Sequence, residues 1–148
     1  MASNVGQRGK SAEAQMQKHL QHLDQTLLHF DWLRLPDART AMGRGTAMPG
    51  DFEAFMPMSH LLLEVKEVAH DFRLPAKNVG QLPKMRKRTL AGGHCFLIVY
   101  HSTTKKWRRI PVMELEVKTT GSWDLSEYEQ YDSVSQALSV ELLGGLSG

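Results

Sequence analysis

Two carboxylates and a lysine lie at the ends of one short apolar stretch. Asp51 precedes the stretch, and Glu64 and Lys66 follow at its far end, in GDFEAFMPMSHLLLEVKEV. Side chains alternate between the two faces of a β-strand, so Glu64 and Lys66 share one face and Val65 points into the core. The thirteen-residue spacing from Asp51 to Glu64 is about that of a short hairpin, which would bring the two carboxylates together.

These residue types suit metal-assisted phosphodiester hydrolysis. Carboxylates that converge at a sheet edge repel one another unless a cation lies between them. Mg²⁺ suits that position because it prefers oxygen ligands and completes its octahedron with water and phosphate. Lys66 would orient or deprotonate the attacking water, or stabilise charge that develops on the phosphate. The competing interpretation is a strand with a solvated, charged face, and these three residues alone do not exclude it.

The positive charge of the chain is concentrated in one region. Residues 77–109 contain nine Lys and Arg and no Asp or Glu, although the net charge of the whole chain is only +2. Such a local field attracts a polyanion, whereas the alternative is that long basic side chains merely solvate a helix and a hairpin. The residues predicted to contact DNA come from this block and from a loop rich in Gly and Pro at 34–50. They are Arg39, Arg44, Lys84, Arg86, Lys87, Arg88, Lys105, Lys106, Arg108 and Arg109.

Hydrophobic periodicity predicts a mixed α/β fold around one sheet. Apolar residues at alternating steps of four and three predict a helix from an N-cap at Ser11 to about Phe30–Trp32. The apolar run His94–His101 predicts a central strand. The other predicted elements are strands at 51–58, 60–68 and 107–113, a basic helix at 79–91 with Pro83 in its first turn, and a last helix at about 126–143.

Composition limits the class of protein. Hydrophobic residues make up 41% of the chain and charged residues 23%, as in an ordinary globular domain. No apolar run approaches the roughly 20 residues that span a bilayer, so no membrane association is expected. Cys95 is the only cysteine, which excludes an internal disulfide and favours a cytoplasmic protein. One domain is predicted at 11–143, with flexible ends at 1–10 and 144–148.

The order of these motifs resembles the PD-(D/E)xK nuclease superfamily. Pro49-Gly50-Asp51 followed by Glu64-Val65-Lys66 looks like its signature. Within it, the chain is similar to the RecU-like and archaeal-type Holliday junction resolvases. The similarity rests on the order Glu64-Val-Lys-Glu-Val, Phe72-Arg-Leu-Pro, Gln81 and Gly93–Tyr100, and on the N-terminal motif Gly9-Lys10-Ser11-Ala12-Glu13. It covers about residues 9–101 and implies a single restriction-endonuclease-like domain, with a central mixed β-sheet flanked by helices.

The resemblance also implies roles for individual residues. Asp51 and Glu64 would be ligands of Mg²⁺, for which Mn²⁺ would substitute, and Lys66 would be the catalytic lysine. Glu13 would complete the metal site, directly or through water, and Gln81 would help to position the site or the phosphate. Glu13 also has a simpler explanation, because an acid in the first turn of a helix interacts favourably with the helix dipole.

The combined interpretation is a Mg²⁺-dependent, structure-selective DNA endonuclease. A Holliday junction resolvase acting on four-way DNA is the main hypothesis. Two nearly symmetric cuts are needed to resolve a junction, and a homodimer with two active sites provides them. Two other hypotheses stay open: a restriction-like or repair nuclease acting on duplex or flap DNA, and a non-catalytic DNA-binding module of the same fold.

Overall fold

A five-stranded mixed sheet forms the centre of the molecule. The computed structural model describes residues 5–36, 50–57 and 59–138. In these ranges the helices are α1 (Val5–Thr26), α2 (Leu82–Leu90) and α3 (Val134–Ala137). The strands are β1 (Asp31–Arg34), β2 (Phe52–Met56), β3 (Ser59–Val68), β4 (Arg73–Pro75), β5 (His94–His101), β6 (Lys106–Pro111) and β7 (Ser122–Asp124). The central sheet has the order β1-β2-β3-β5-β6, and β4 pairs with β7 in a second, two-stranded sheet.

The strands β3 and β5 form the middle of the central sheet. They pair in parallel, from Leu61 opposite His94 to Val68 opposite His101, whereas the other neighbours pair antiparallel. A parallel pair needs a crossover connection, which β4 and α2 supply. The predicted bounds of β5 are confirmed, and its apolar character on both faces reflects burial on both sides of the sheet.

Helices cover the two faces of this sheet, and each face has its own apolar core. On one face, Met16 and Leu20 of α1 pack in the same cluster as Leu63 and Val65 of β3. On the other face, α2, β4 and β7 contribute to a cluster that includes Leu62 and Val68 of β3, with Leu74, Leu82, Met85 and Trp123. The alternation predicted for β3 is therefore confirmed, and Glu64 and Lys66 fall on the α2 side. None of the helices in the described ranges is long and apolar enough to cross a membrane.

The first helix and the segment after it differ from the prediction. α1 begins at Val5, so Ser11 lies inside the helix and is not its N-cap. The polar residues before Ser11 add nothing to the apolar stripe, which is why periodicity placed the start too late. The helix ends at Thr26, and Asp31–Arg34 forms the edge strand β1 instead of a last helical turn or a loop.

The last predicted helix is wrong in its starting point. α3 begins at Val134, eight residues after Ser126, with Ser133 as an N-cap whose side chain accepts a hydrogen bond from the Gln136 amide (3.2 Å). Tyr131 falls within the predicted helix, but it pairs with Trp107 of β6 in a β-bridge. The β-bridge satisfies backbone groups that a helix would otherwise have used. The predicted end of the helix lies outside the described residues.

Candidate active site

Asp51 lies where β2 separates from β3. Strand pairing ends with Phe52 opposite Leu63. Asp51 continues the contact: its amide donates to the Leu63 carbonyl (2.7 Å), and its Oδ2 accepts a hydrogen bond from the Val65 amide (2.7 Å). A carboxylate thus takes the place of a backbone acceptor beside β3, at the point where the pairing of β2 with β3 ends.

Gly50 fixes the path of the chain into Asp51. Its φ is +116°, a conformation that L side chains rarely adopt. An added Cβ would also lie 2.7 Å from Cδ1 of Leu62 and 3.4 Å from the Leu63 carbonyl oxygen. The position therefore requires glycine for two separate reasons, backbone conformation and close packing on β3.

We expect Gly50→Ala to lower the free energy of unfolding by about 2 kcal/mol, because it adds backbone strain and a clash. Urea denaturation followed by tryptophan fluorescence measures the difference. Gly80→Ala is the control, since nothing lies within 4 Å of an added Cβ there and no left-handed φ is recorded. Equal stability of the two variants would show that Gly50 is not required for the local geometry.

Glu64 and Lys66 form the second part of the site. Glu64 is only 5% exposed, and its Oε2 lies 3.1 Å from Nζ of Lys66. Burial, and then the negative charge of Asp51, raises the pKa of Glu64 to about 7. Burial also raises the pKa of Asp51 above its usual range. The carboxylates of Asp51 and Glu64 thus share the single positive charge of Lys66, which does not balance both negative charges.

Glu13 reaches the same edge of the sheet from α1. Burial, and then the charge of Asp51, raises the pKa of Glu13. The helix is tied to the end of β3 by a hydrogen bond from the Ala12 amide to Oε1 of Glu67 (3.1 Å). The first predicted helix therefore does carry Glu13 to the neighbourhood of Asp51, although the helix begins earlier than expected.

Arg34 also borders the site and was not singled out from the sequence. Its guanidinium lies 3.5 Å from Oε1 of Glu13 and 3.3 Å from Oε1 of Gln17, and it stacks 5.6 Å from the ring centre of Phe52. Its charge opposes the rise in the pKa of Glu13 and Asp51. The residue fell in a predicted loop, and a four-residue edge strand carries no readable alternation, so the sequence offered no signal for it.

Gln81 occupies the N-cap position of α2, and its side chain is half-buried. The Gln81 side chain makes no capping hydrogen bond to the helix, although its backbone carbonyl accepts one from the Met85 amide (3.0 Å). No recorded contact joins Gln81 to Asp51 or Glu64. Its role in positioning the site or the phosphate therefore stays a prediction.

The donor set at the site fits a hard divalent cation. Asp51 and Glu64 offer oxygen ligands, and both are largely buried. Burial is the main cause of their raised pKa values, and a bound cation would stabilise the charged forms that burial disfavours. Among residues 5–36, 50–57 and 59–138, no group of three or more His, Cys, Asp or Glu is arranged to hold a metal ion. The pair Asp51 and Glu64 is thus the core of the candidate metal site, and Glu13, which contacts Arg34, stays a predicted third ligand.

Arg108 was predicted to contact DNA, and the structure corrects this. Its side chain is 4% exposed. The guanidinium donates to the carbonyls of Tyr128 (3.1 Å) and Asp71 (2.6 Å) and lies 3.0 Å from Nε2 of His101. A buried arginine with three internal acceptors has a structural role, because contact with a phosphate would require it to leave the core.

Three more of the predicted DNA contacts are committed to partners within the fold. Lys106 forms an ion pair with Asp132. Arg109 donates to the carbonyl of Ala137 (2.8 Å). Arg86 donates through Nη1 to three backbone carbonyls, those of Val112, Met113 and Leu115. Arg86 therefore joins α2 to the 3₁₀ turn Val112–Glu114. Its side chain is half-buried and all three hydrogen bonds use Nη1, so its DNA contact stays a prediction.

The remaining basic residues lie on the surface or outside the described ranges. Lys84, Lys87 and Arg88 are exposed on α2, and their i, i+3 and i+4 spacing places them on one face of the helix. Lys105 is exposed in the turn between β5 and β6 and has a φ of +58°. Arg39 and Arg44 lie outside the described residues, so their predicted contacts are not assessed.

The two hydrogen-bonding neighbours of His101, a buried histidine beside Arg108, determine its tautomer. His101 is fully buried, with Nδ1 2.7 Å from the His70 carbonyl and Nε2 3.0 Å from Nη1 of Arg108. A carbonyl only accepts and a guanidinium only donates, so a neutral ring with its proton on Nδ1 satisfies both neighbours. Burial lowers the pKa of His101, and the charges of Arg108 and His70 oppose protonation, while that of Asp71 favours it.

We expect the stability contributed by His101 to be complete above its ordinary pKa of 6.5 and to be lost as the pH falls below it. The reason is that the unfolded chain binds this proton more readily than the folded protein does. Thermal unfolding at about pH 7.5 and about pH 5 measures the loss. His101→Gln keeps a donor and an acceptor but does not titrate, so its Tm should fall less. An equal fall in both proteins would contradict the assignment.

Comparison with known proteins supports the fold. No protein-family model and no curated protein sequence matches the chain. A solved structure does match: Hjc, a Holliday junction resolvase from the archaeal hyperthermophile Archaeoglobus fulgidus, with a TM-score of 0.54 and 20% sequence identity. The alignment covers 88% of this chain and 96% of that protein. The chain has the fold of Hjc. The predicted mixed sheet flanked by helices is confirmed, and the predicted likeness to an archaeal-type Holliday junction resolvase is confirmed at the level of the fold.

Proposed function

We propose that this protein is a Mg²⁺-dependent DNA endonuclease that cuts four-way junctions. The observation that carries the proposal is the meeting of Asp51, Glu64 and Lys66 where β2 separates from β3. The shared fold with a Holliday junction resolvase supports the substrate, although identity of 20% extends the likeness no further than the fold. A homodimer with two such sites, in the cytoplasm, is part of the same proposal.

Each residue of the candidate active site has a separate role in the proposed reaction. The Val65 amide holds the Asp51 carboxylate in place, and Lys66 orients the buried carboxylate of Glu64. Mg²⁺ bound by these two carboxylates would supply Lewis-acid stabilisation of the phosphate and a more acidic water. Lys66, whose side chain is 27% exposed, can contact both that water and the scissile phosphate. Arg34 and Glu13 border the same edge and can position the carboxylates.

Cleavage of labelled DNA with and without Mg²⁺ tests the proposal. A four-way junction, a flap and a linear duplex of the same sequence should be compared at equal concentration. We expect paired cuts in the junction and little cutting of the duplex. A preference for flap or duplex DNA would favour the hypothesis of a repair or restriction-like nuclease over that of a resolvase. DNA binding without Mg²⁺-dependent cutting of any of the three substrates would favour a non-catalytic DNA-binding module.

A further inference from the structure

A groove with several polar side chains lies along the small β4–β7 sheet, next to the end of β3. Its first part is a cavity of about 500 Å³ bounded by the end of β3, β4 and Ser122. A second cavity of about 430 Å³ shares Lys77 and Ser122 with the first. Together they are called the β4 groove here, and their polar side chains include Arg73, Lys77, Asn78, Thr119, Thr120 and Ser122.

The groove begins one residue along β3 from the site. Glu67 lines the groove, and the preceding residue, Lys66, pairs with Glu64 in the site. Glu67 is also hydrogen-bonded through Oε1 to the Ala12 amide of α1. Because a strand rises only about 3.3 Å per residue, the backbone at Lys66 lies close to the first residue of the groove.

The groove has the chemistry of a phosphodiester site. Its side chains offer ammonium, guanidinium, amide and hydroxyl donors and the imidazole of His70, and none of the described lining residues is Phe, Tyr or Trp. The one carboxylate among the described lining residues is that of Glu67, which accepts a hydrogen bond from the Ala12 amide. Proteins read sugar–phosphate backbone with such donors, whereas they bind unpaired bases mainly by aromatic stacking. Lys77 is exposed, and no ion pair with a described carboxylate is recorded for it. Arg73 lies opposite Asp124 in the β4–β7 pairing, so Lys77 is the better probe.

We propose that the β4 groove binds the phosphodiester backbone of one DNA strand next to the cleavage position. Lys77 and Arg73 neutralise phosphates, and the amide and hydroxyl groups donate to phosphate oxygens. The proposal rests on the proposed function only in taking DNA as the ligand. It assigns to β4, the 3₁₀ turn Ala76–Asn78 and β7 the task of holding a DNA arm in register with Asp51 and Glu64.

Affinity measured without catalysis is the first test. Fluorescence anisotropy of a labelled four-way junction in EDTA should show that Lys77→Gln binds several-fold more weakly, with a salt slope lower by about 0.9, as for one lost phosphate contact. Lys18→Gln is the matched control, because it removes the same charge from an exposed position on α1, across the sheet from the groove. Wild-type affinity in Lys77→Gln, or an equal loss in Lys18→Gln, would overturn the proposal.

A double-mutant cycle between protein and DNA locates the contact. Uncharged methylphosphonate linkages are introduced one at a time near the cleavage position of the junction. We expect one linkage to weaken binding of the wild type but to have no further effect on Lys77→Gln. If the two losses are additive at every linkage, the groove does not hold the strand. If Lys77→Gln and one linkage are non-additive but the protein cuts no DNA, the proposed nuclease function is rejected and the groove proposal stands. If the protein cuts the junction but the losses are additive at every linkage, the groove proposal is rejected and the nuclease function stands.

Discussion

Asp51→Asn will reduce Mg²⁺-dependent cleavage of a four-way junction by about 10³-fold or more, while DNA binding is retained. Asparagine removes an anionic oxygen ligand from the site, and a hard cation depends on such ligands. Its side-chain carbonyl can still accept the hydrogen bond that the Val65 amide donates at 2.7 Å. Single-turnover cleavage and anisotropy in EDTA separate the lost chemistry from the retained binding.

A matched control for this variant lies two residues further along the chain. Glu53 is on β2, near His60 (3.8 Å), and its acid-to-amide change alters the same charge outside the site. Glu53→Gln should cut at close to the wild-type rate. The stability of Asp51→Asn should not fall, because burial disfavours the charge that the substitution removes. Wild-type cleavage by Asp51→Asn would reject the catalytic assignment of this carboxylate.

The second large effect concerns Arg108, whose replacement should reduce stability and not DNA affinity. Arg108→Met keeps much of the buried stem but removes the donors that face Tyr128, Asp71 and His101. With about 1 kcal/mol for each buried acceptor left without a partner, the expected loss in the free energy of unfolding is about 3 kcal/mol. Urea denaturation measures the loss, and the affinity for DNA is measured at a temperature where the variant is folded.

Lys84→Gln provides the opposite pattern to Arg108→Met. Lys84 is exposed on α2, so its replacement should change the stability by less than about 0.5 kcal/mol. If the basic face of α2 contacts DNA as predicted, the affinity should fall and its salt dependence should weaken. If folded Arg108→Met loses as much DNA affinity as Lys84→Gln does, the original prediction that Arg108 contacts DNA would be supported.

Local patterns predicted the elements that are strongly periodic. The run His94–His101 was identified with its observed bounds, because only a strand buried on both faces is apolar over its whole length. Pro83 was expected in the first turn of the basic helix, and it lies there. β1 and the region from Ser126 to Ser133 were misassigned, because short segments at an edge take their structure from the partner strand and carry no period of their own.

The sequence by itself predicted which side chains meet in the candidate active site. The spacing of Asp51, Glu64 and Lys66, together with alternation in β3, was enough to place two carboxylates and a lysine together. Alternation along a strand places Glu64 and Lys66 on one face, and the predicted hairpin brings Asp51 next to them.

Only the tertiary structure decided which charged residues are free to act. Arg108 looks like the other basic residues of 77–109 in the sequence, but the fold buries it and its guanidinium donates to backbone carbonyls. It also brings Arg34 to Glu13 and opens the β4 groove beside Lys66. The physical reason is that burial and long-range contacts depend on how distant segments pack, and charge counted along the chain contains no record of that packing.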